Sequence, residues 1–131
     1  MTVGTIGPGH RPHLMPLWYV PEGDELIGWT FAKSQKAKNL ERDPRATVQV
    51  EAGVEYQELR GVMFECDVQI EREPERVAEY GRKIFERYSG GAELAPEVAE
   101  MVEQQAPKRI GMRFTPTRTV SWDHRKLGGV Y

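Results

Sequence analysis

Hydrophobic and polar residues alternate along much of the chain, and clusters of glycine and proline interrupt the alternation. Because successive side chains of a strand point to opposite faces, this period of two predicts β-strands, and the Gly/Pro clusters predict reversals between them. The predicted strands cover residues 2–6, 13–20, 26–31, 46–51, 58–70, 109–114 and 117–122, with a hinge at Pro116 between the last two.

Three other segments predict helices, and in the second and third of them apolar residues lie three and four positions apart, which is the spacing of one helix face. The first covers residues 34–42, where Ser34 is a favourable N-cap and Pro44 ends the helix. The second begins at Pro74 with one apolar face, and the third covers residues 94–105. The order predicts a mainly β protein: a barrel of about seven antiparallel strands, with a short helix after the third strand and two helices before the last strands.

Composition narrows the class of protein. A chain of 131 residues predicts one domain spanning residues 1–131. Its 18 basic and 20 acidic residues give a net charge of −2, so we expect no binding to nucleic acid or to an anionic membrane surface. No apolar run approaches a bilayer-spanning length of about 18 residues and no signal-peptide pattern opens the chain, which indicates a cytoplasmic location. The single cysteine, Cys66, is interpreted as a small strand residue in a reducing compartment.

Familiar catalytic motifs are weak in this sequence. His10 and His13 flank a predicted turn, His124 is distant from both, and their spacing is not that of a metal site. We therefore predict no metal ligands and name no catalytic acid or base.

The unusual segment is residues 29–40, which runs from an aromatic strand end into the first turn of a helix. Amide groups at a helix start lack intrahelical partners and attract anions. The hydroxyls of this segment belong to Thr30 and Ser34, and its ammonium groups to Lys33, Lys36 and Lys38. The combination predicts a phosphate-binding cradle, and the alternative is a capped surface helix with solvated lysines.

Two further features carry charge or aromatic surface. Arg60 lies near Glu55 and Glu58, which are candidate ion-pair partners, and an exposed position in a strand ladder is the alternative to a ligand role. The tail, residues 121–131, holds Trp122 and three cationic or titratable groups that suit a planar, phosphorylated ligand or a second subunit. The alternative is a tryptophan packed on the last strand with an exposed basic tail.

Two stretches resemble the pyridoxamine-5′-phosphate-oxidase-like split barrels. They are residues 9–20, together with Trp29-Thr30, and residues 34–45. The ending of the second stretch is most similar to the flavin/deazaflavin oxidoreductase branch, and its matching residues are Lys36, Asn39, Leu40, Asp43, Pro44 and Arg45. The resemblance implies a split β-barrel and a homodimer with the cofactor at the subunit interface.

The resemblance also implies cofactor-binding residues. Met15, Pro16 and Leu17 would line the ring system, followed by Trp29 and Thr30 on the next strand. Phosphate-binding positions are Ser34, Gln35 and Lys36, although many relatives have arginine where this chain has Gln35, and Asn39 follows in the same motif. Arg60 would reach the cofactor from the second subunit, and Trp122 is similar to the C-terminal tryptophan of the oxidase.

The function implied is hydride transfer between a bound flavin or deazaflavin and a small planar organic substrate. Coenzyme F420 is favoured over FMN on family likeness, and vitamin B6 oxidase activity is not assigned. Two other hypotheses stay open at this point. One is a non-catalytic carrier or sensor that binds a flavin or a tetrapyrrole, and the other is an interaction module whose lysine segment is a solvated helix.

Overall fold

The computed structural model describes residues 1–128, which form one seven-stranded antiparallel sheet and three α-helices. The strands are β1 (Thr2–Ile6), β2 (Pro12–Pro16), β3 (Val20–Glu22), β4 (Glu25–Phe31), β5 (Arg45–Ala52), β6 (Arg60–Glu71) and β7 (Arg109–Asp123). The helices are α1 (Gln35–Arg42), α2 (Pro74–Tyr88) and α3 (Pro96–Gln105). The mainly β class, the short helix after the third predicted strand and the two later helices are confirmed.

The strands lie in the order β2-β1-β5-β6-β7-β4-β3, so the sheet is open, with β2 and β3 at its edges. This unclosed antiparallel sheet is consistent with the predicted split barrel. The longest strands, β6 and β7, pair along most of their length at its centre. Among residues 1–128, no helix has the length and apolar character needed to cross a bilayer.

The predicted strand over residues 13–20 is wrong, because β2 ends at Pro16 and a new strand starts at Val20. Leu17 still exchanges backbone hydrogen bonds with Met1, at 2.8 and 3.0 Å, in the register that pairs Thr2 with Pro16. Arg87 of α2 donates to the carbonyl oxygen of Tyr19 at 2.8 Å. The contact between Tyr19 and α2, which local alternation does not encode, lies in the gap between β2 and β3.

The predicted hinge at Pro116 is also wrong, since β7 runs unbroken for 15 residues. The register against β6 shifts there: Cys66 faces Pro116, whereas Glu65 faces Arg118. Proline has no amide hydrogen for the ladder and is tolerated at such bulges. One predicted strand is two strands in the structure, β2 and β3, and two predicted strands are one, β7. The number of strands is therefore seven, as predicted.

The sheet has an apolar layer on each face. The inner layer combines buried residues of β1, β4, β5, β6 and β7 with Ala37 and Leu40 of α1. In the outer layer, Trp29 of β4 packs against Val77 and Ile84 of α2 and against Val102 of α3. Beyond these layers, the first half of β6 and the second half of β7 are only partly buried.

Candidate functional site

The start of α1 is joined to the end of β4 by hydroxyl groups. Ser34 caps the helix, and its Oγ accepts a hydrogen bond from the Ala37 amide at 3.3 Å. Thr30 Oγ1 lies 3.3 Å from Ser34 Oγ, within hydrogen-bond distance. The local sequence therefore brings two hydroxyls and the free amides of a helix N-terminus to one place.

Lys36 turns this place into a cationic site. Its residue is only 8% exposed, and Nζ donates to Thr30 Oγ1 at 3.2 Å. Burial lowers the pKa of Lys36, and the nearby charge of Arg109 lowers it further. Within residues 1–128, no carboxylate forms an ion pair with Lys36. A buried ammonium without a counter-ion is costly, and a bound anion would relieve that cost. We call Thr30, Ser34 and Lys36 the α1 cradle.

The other two lysines of this segment do not join the α1 cradle. Lys33 is exposed, and Lys38 forms an ion pair with Glu41 at 3.2 Å on the outer side of the helix. Gln35 is exposed as well, and its Nε2 donates to Asn39 Oδ1 at 2.8 Å. Of the three lysines predicted to bind phosphate, the fold buries Lys36 and leaves Lys33 and Lys38 exposed.

Asn39 is fully buried, and both ends of its amide are bonded inside the protomer. Nδ2 donates to Thr5 Oγ1 at 3.0 Å, and Oδ1 accepts from Arg42 Nη2 at 2.8 Å in addition to the bond from Gln35. The bond to Thr5 ties α1 to β1, and the other two lie within α1. The geometry thus gives Asn39 a part in fixing the helix that carries the α1 cradle.

Arg109 was missed by sequence reasoning. It opens β7 directly opposite Phe31 in the register with β4, and its guanidinium lies 4.2 Å from the Trp29 ring centroid and 4.0 Å from that of Phe31. Its Nε and Nη2 donate to Gln105 Oε1 at 2.9 and 2.6 Å. Burial lowers the pKa of Arg109. No local motif marks this residue, because the pairing of β4 with β7 joins distant parts of the chain.

The predicted ring-lining residues lie on or beside the β2 edge strand. Met15 is 44% exposed, Pro16 is exposed and Leu17 is partly buried. Trp29 is different: it is 6% exposed and packs edge-on against Phe85 of α2, on the face of β4 opposite to Thr30. Met15 and Pro16 are therefore accessible to a ligand. Trp29 is buried instead, and its ring packs against the guanidinium of Arg109.

Arg60 and Trp122 lie at the end of the central strand pair, β6 and β7, that is remote from α1. The amide of Val68, near the opposite end of β6, bonds to the carbonyl of Pro44, just after α1. Eight residues of strand separate Val68 from Arg60, roughly 25 Å at a rise of about 3.3 Å per residue. One protomer does not bring Arg60 to its own α1 cradle.

The contacts of these two residues are local. Arg60 Nη1 donates to the Glu58 carbonyl oxygen at 3.1 Å rather than to a carboxylate. Trp122 faces Gly61 in the register and covers it, since a Cβ on Gly61 would lie 2.4 Å from Trp122 Cζ2. In the tail, Arg125 pairs with Asp123 at 2.7 Å. Residues 129–131 of that predicted tail lie outside the described residues.

Two surface cavities lie elsewhere on the sheet. One of about 430 Å³ is lined by residues such as His10, Arg45 and Asp67. The other, of about 650 Å³, is lined by residues such as Tyr19, Val62 and Phe64. Neither of these two cavities is lined by a predicted cofactor-binding residue.

The open antiparallel sheet of this strand order, with the N-terminus of α1 next to the end of β4, defines a split-barrel domain. The family model described as pyridoxamine 5′-phosphate oxidase matches residues 1–123, and the chain belongs to this family. No curated protein matches the sequence.

Solved structures agree on the fold. The conserved hypothetical protein Rv2991 from Mycobacterium tuberculosis is 46% identical, with a TM-score of 0.86, and the match covers 99% of this chain and 80% of that one. A structure named F420 reductase is 20% identical, with a TM-score of 0.69 and coverages of 91% and 86%. The heme storage protein HutZ from Vibrio cholerae is 16% identical, with a TM-score of 0.71 and coverages of 91% and 82%. The last two similarities show the fold alone.

Proposed function

We propose that this protein is an oxidoreductase that binds coenzyme F420, or alternatively FMN, and transfers a hydride between the cofactor and a small planar organic substrate. The observation that carries the proposal is Lys36, a buried ammonium placed beside two hydroxyls at a helix start without a carboxylate partner among the described residues. This donor set suits a phosphate group. Family membership and the fold shared with an F420 reductase support the choice of cofactor.

The roles of the chain's own residues follow from their positions. When bound, the cofactor supplies the hydride chemistry, which needs little covalent help from the protein. The α1 cradle would bind the phosphate and so fix the orientation of the ring. Met15 and Pro16, exposed on β2, would lie along the ring and exclude water from one side. We place the protein in the cytoplasm, where the buried free thiol of Cys66 stays reduced.

We further propose a homodimer with the cofactor between the subunits. Leu14 on β2 is 65% exposed, and apolar residues of the central strands β6 and β7, including Val62, Phe64 and Val120, are partly exposed. Apolar surface of this kind favours a covering partner. Since Arg60 and Trp122 lie far from the α1 cradle of their own protomer, a second copy is the source that would bring them to the cofactor.

The cofactor is tested by titrating the pure protein with F420 and with FMN while following fluorescence quenching. Replacing Lys36 by glutamine should weaken binding by at least about 1.5 kcal/mol, because charge-assisted contacts to phosphate are lost. The matched control is Lys38→Gln, which removes the same charge from a lysine already paired with Glu41. Tight FMN binding without F420 binding would reverse the preference between cofactors, and equal affinities in K36Q and wild type would refute the site.

A second candidate is a non-catalytic carrier of a flavin or tetrapyrrole. The observation in its favour is that the same fold occurs in HutZ, whose name describes heme storage. The cofactor-loaded, reduced protein separates the two functions: reoxidation by quinones or enones supports the enzyme, and failure with a whole panel of them supports the carrier.

A further inference from the structure

Trp18 and Tyr88 form an exposed aromatic stack that has no part in the α1 cradle. Their ring centroids lie 4.4 Å apart, and the two ring planes are inclined by only 7°. Trp18 belongs to the connection between β2 and β3, and Tyr88 ends α2, so distant segments of the chain bring them together. Trp18 is nevertheless 51% exposed and Tyr88 is 40% exposed. Exposed aromatic surface of this kind favours a binding role.

The rings of this stack are held in fixed positions. Phe85 of α2 packs edge-on against Trp18 at a centroid distance of 5.8 Å, and in the same way against the buried Trp29 at 6.2 Å. The hydroxyl of Tyr88 accepts a hydrogen bond from the Tyr19 amide at 3.3 Å. A rigid aromatic surface loses little conformational entropy when a flat molecule packs on it.

Arg87 places a positive charge beside the stack. Its guanidinium lies 4.4 Å from the ring centroid of Tyr19 and 5.4 Å from that of Tyr88. The same guanidinium is oriented by its hydrogen bond to the Tyr19 carbonyl oxygen at 2.8 Å. Among residues 1–128, no carboxylate forms an ion pair with Arg87. An oriented guanidinium without a counter-ion complements a carboxylate or phenolate group on a ligand.

The stack adjoins the residues that are predicted to line the cofactor ring. Leu17 directly precedes Trp18, and a Cβ on Gly28 would lie 2.8 Å from Leu17 Cδ2 and 3.5 Å from the Trp18 carbonyl oxygen. Gly28 and Thr30 lie on the same face of β4, two residues or about 7 Å apart. The connection that carries Trp18 therefore lies against β4 close to Thr30 of the α1 cradle.

We propose that Trp18, Tyr88 and Arg87 form a binding platform for a planar aromatic anion, and that this anion is the substrate. The proposal rests on the proposed function, because it specifies the shape and charge of the substrate that the enzyme accepts. The ring of the substrate packs on the exposed aromatic surface, and its carboxylate or phenolate oxygen accepts hydrogen bonds from Arg87. We call these three residues the aromatic platform.

The probe for the aromatic platform is 2-naphthoate, titrated into the pure protein without cofactor and followed by calorimetry. Trp18→Ala should weaken its binding by about fivefold or more, because the ring contact is lost. Trp18→Phe keeps a ring and should recover most of the affinity. Naphthalene-2-carboxamide is equally flat but neutral. Arg87→Gln should therefore weaken 2-naphthoate by about threefold or more and leave the carboxamide within about twofold of wild type.

Two variants serve as matched controls. Tyr56→Ala removes a ring that is 57% exposed on the β5–β6 connection, and Arg76→Gln removes an exposed guanidinium near the start of α2. Both should bind 2-naphthoate within about twofold of wild type, because neither residue belongs to the aromatic platform. Equal affinities of W18A and wild type would overturn the proposal, as would an equal loss of both probes in R87Q. Absence of binding by wild type at millimolar 2-naphthoate would overturn it too.

Cofactor titrations separate this proposal from the proposed function. W18A should bind F420 or FMN within about twofold of wild type, because the α1 cradle is unchanged. If wild type binds neither cofactor but binds 2-naphthoate through Trp18, the oxidoreductase assignment fails and the aromatic platform stands as an anion site. If wild type binds a cofactor and W18A leaves 2-naphthoate binding unchanged, the assignment stands and the aromatic platform fails. Equal losses of cofactor and 2-naphthoate in W18A would overturn the role toward the substrate.

Discussion

Asn39 Nδ2 donates to Thr5 Oγ1 across 3.0 Å, and both residues are buried. This bond, together with one from Arg42 Nη2 to the Ile6 carbonyl oxygen at 3.2 Å, joins the helix that carries Lys36 to the first strand of the sheet. A buried donor without an acceptor has lost its hydrogen bonds to water and has no bond to replace them, which destabilises the folded state. The placement of the candidate site therefore depends on a polar contact between residues far apart in the sequence.

Replacing Thr5 by valine removes the acceptor while keeping the shape of the side chain. We expect the free energy of unfolding to fall by about 1–3 kcal/mol, because the amide of Asn39 stays buried without its partner. Urea denaturation measures this change. Thr2→Val is the control: Thr2 is exposed on the same strand, and its replacement should cost less than about 0.5 kcal/mol. Equal effects of the two changes would contradict the role given to the bond.

Gly61 leaves room for Trp122 and for the neighbouring strand. A Cβ at this position would lie 2.4 Å from Trp122 Cζ2 and 2.7 Å from the Val50 carbonyl oxygen. Gly61→Ala should therefore destabilise the protein by about 1–3 kcal/mol in thermal or urea unfolding. Adding Trp122→Leu to it should recover only part of the loss, since the backbone contact with Val50 remains.

Gly4 provides the comparison for Gly61. A Cβ there would meet Leu14 Cδ2 at 3.1 Å, the end of a side chain that is largely exposed and free to move. We expect Gly4→Ala to change stability by less than about 1 kcal/mol. A loss as large as that of G61A would show that close approach at Trp122 is not the cause.

Arg113 links the β3–β4 hairpin to the sheet by pairing with Glu22 and Glu25 at 2.6 and 2.7 Å. Hydrogen bonds from Lys83 and Arg113 lower the pKa of Glu22, and the bond from Arg113 lowers that of Glu25. A lowered folded-state pKa stabilises the protein above the ordinary value of 4.5, and this stabilisation is lost as the pH falls through the folded-state pKa.

Arg113→Gln should consequently lower the urea midpoint at neutral pH, and its difference from wild type should shrink as the pH falls below 4.5. Arg118→Gln is the control, because Arg118 and its partner Glu65 are both largely exposed and pair singly. A difference between R113Q and wild type that stays constant down to about pH 3 would argue against the charge network.

Cys66 lies on the inner face of β6, and its Sγ donates to the Phe64 carbonyl oxygen at 3.8 Å. Burial, together with the charge of Asp67, raises the pKa of its thiol to about 11. At about pH 8 the thiolate fraction is then on the order of one in a thousand, so a disulfide reagent should label the folded protein very slowly. Labelling in urea should be fast, and rapid labelling without urea would contradict the buried position.

The elements that local pattern decides were predicted well. Ser34 and Pro44 bound α1 as expected, and the alternation of Val62, Phe64, Cys66 and Val68 gives β6. The errors fall where distant contacts compete with local pattern. The backbone of Tyr19 bonds to Arg87 of α2 in the gap between β2 and β3, and a bulge at Pro116 allows one strand where a hinge was expected.

The sequence by itself determined the strand-to-helix step that places Thr30, Ser34 and Lys36 together, because these residues are neighbours along the chain and a helix cap is a local event. Only the tertiary structure decided that Lys36 is buried while Lys33 and Lys38 are not, and that Arg109 lies against Trp29 and Phe31 through the pairing of β4 with β7. Burial and strand register are set when segments that are distant in sequence pack together. The alternation of side chains within one segment does not specify which other segment it packs against.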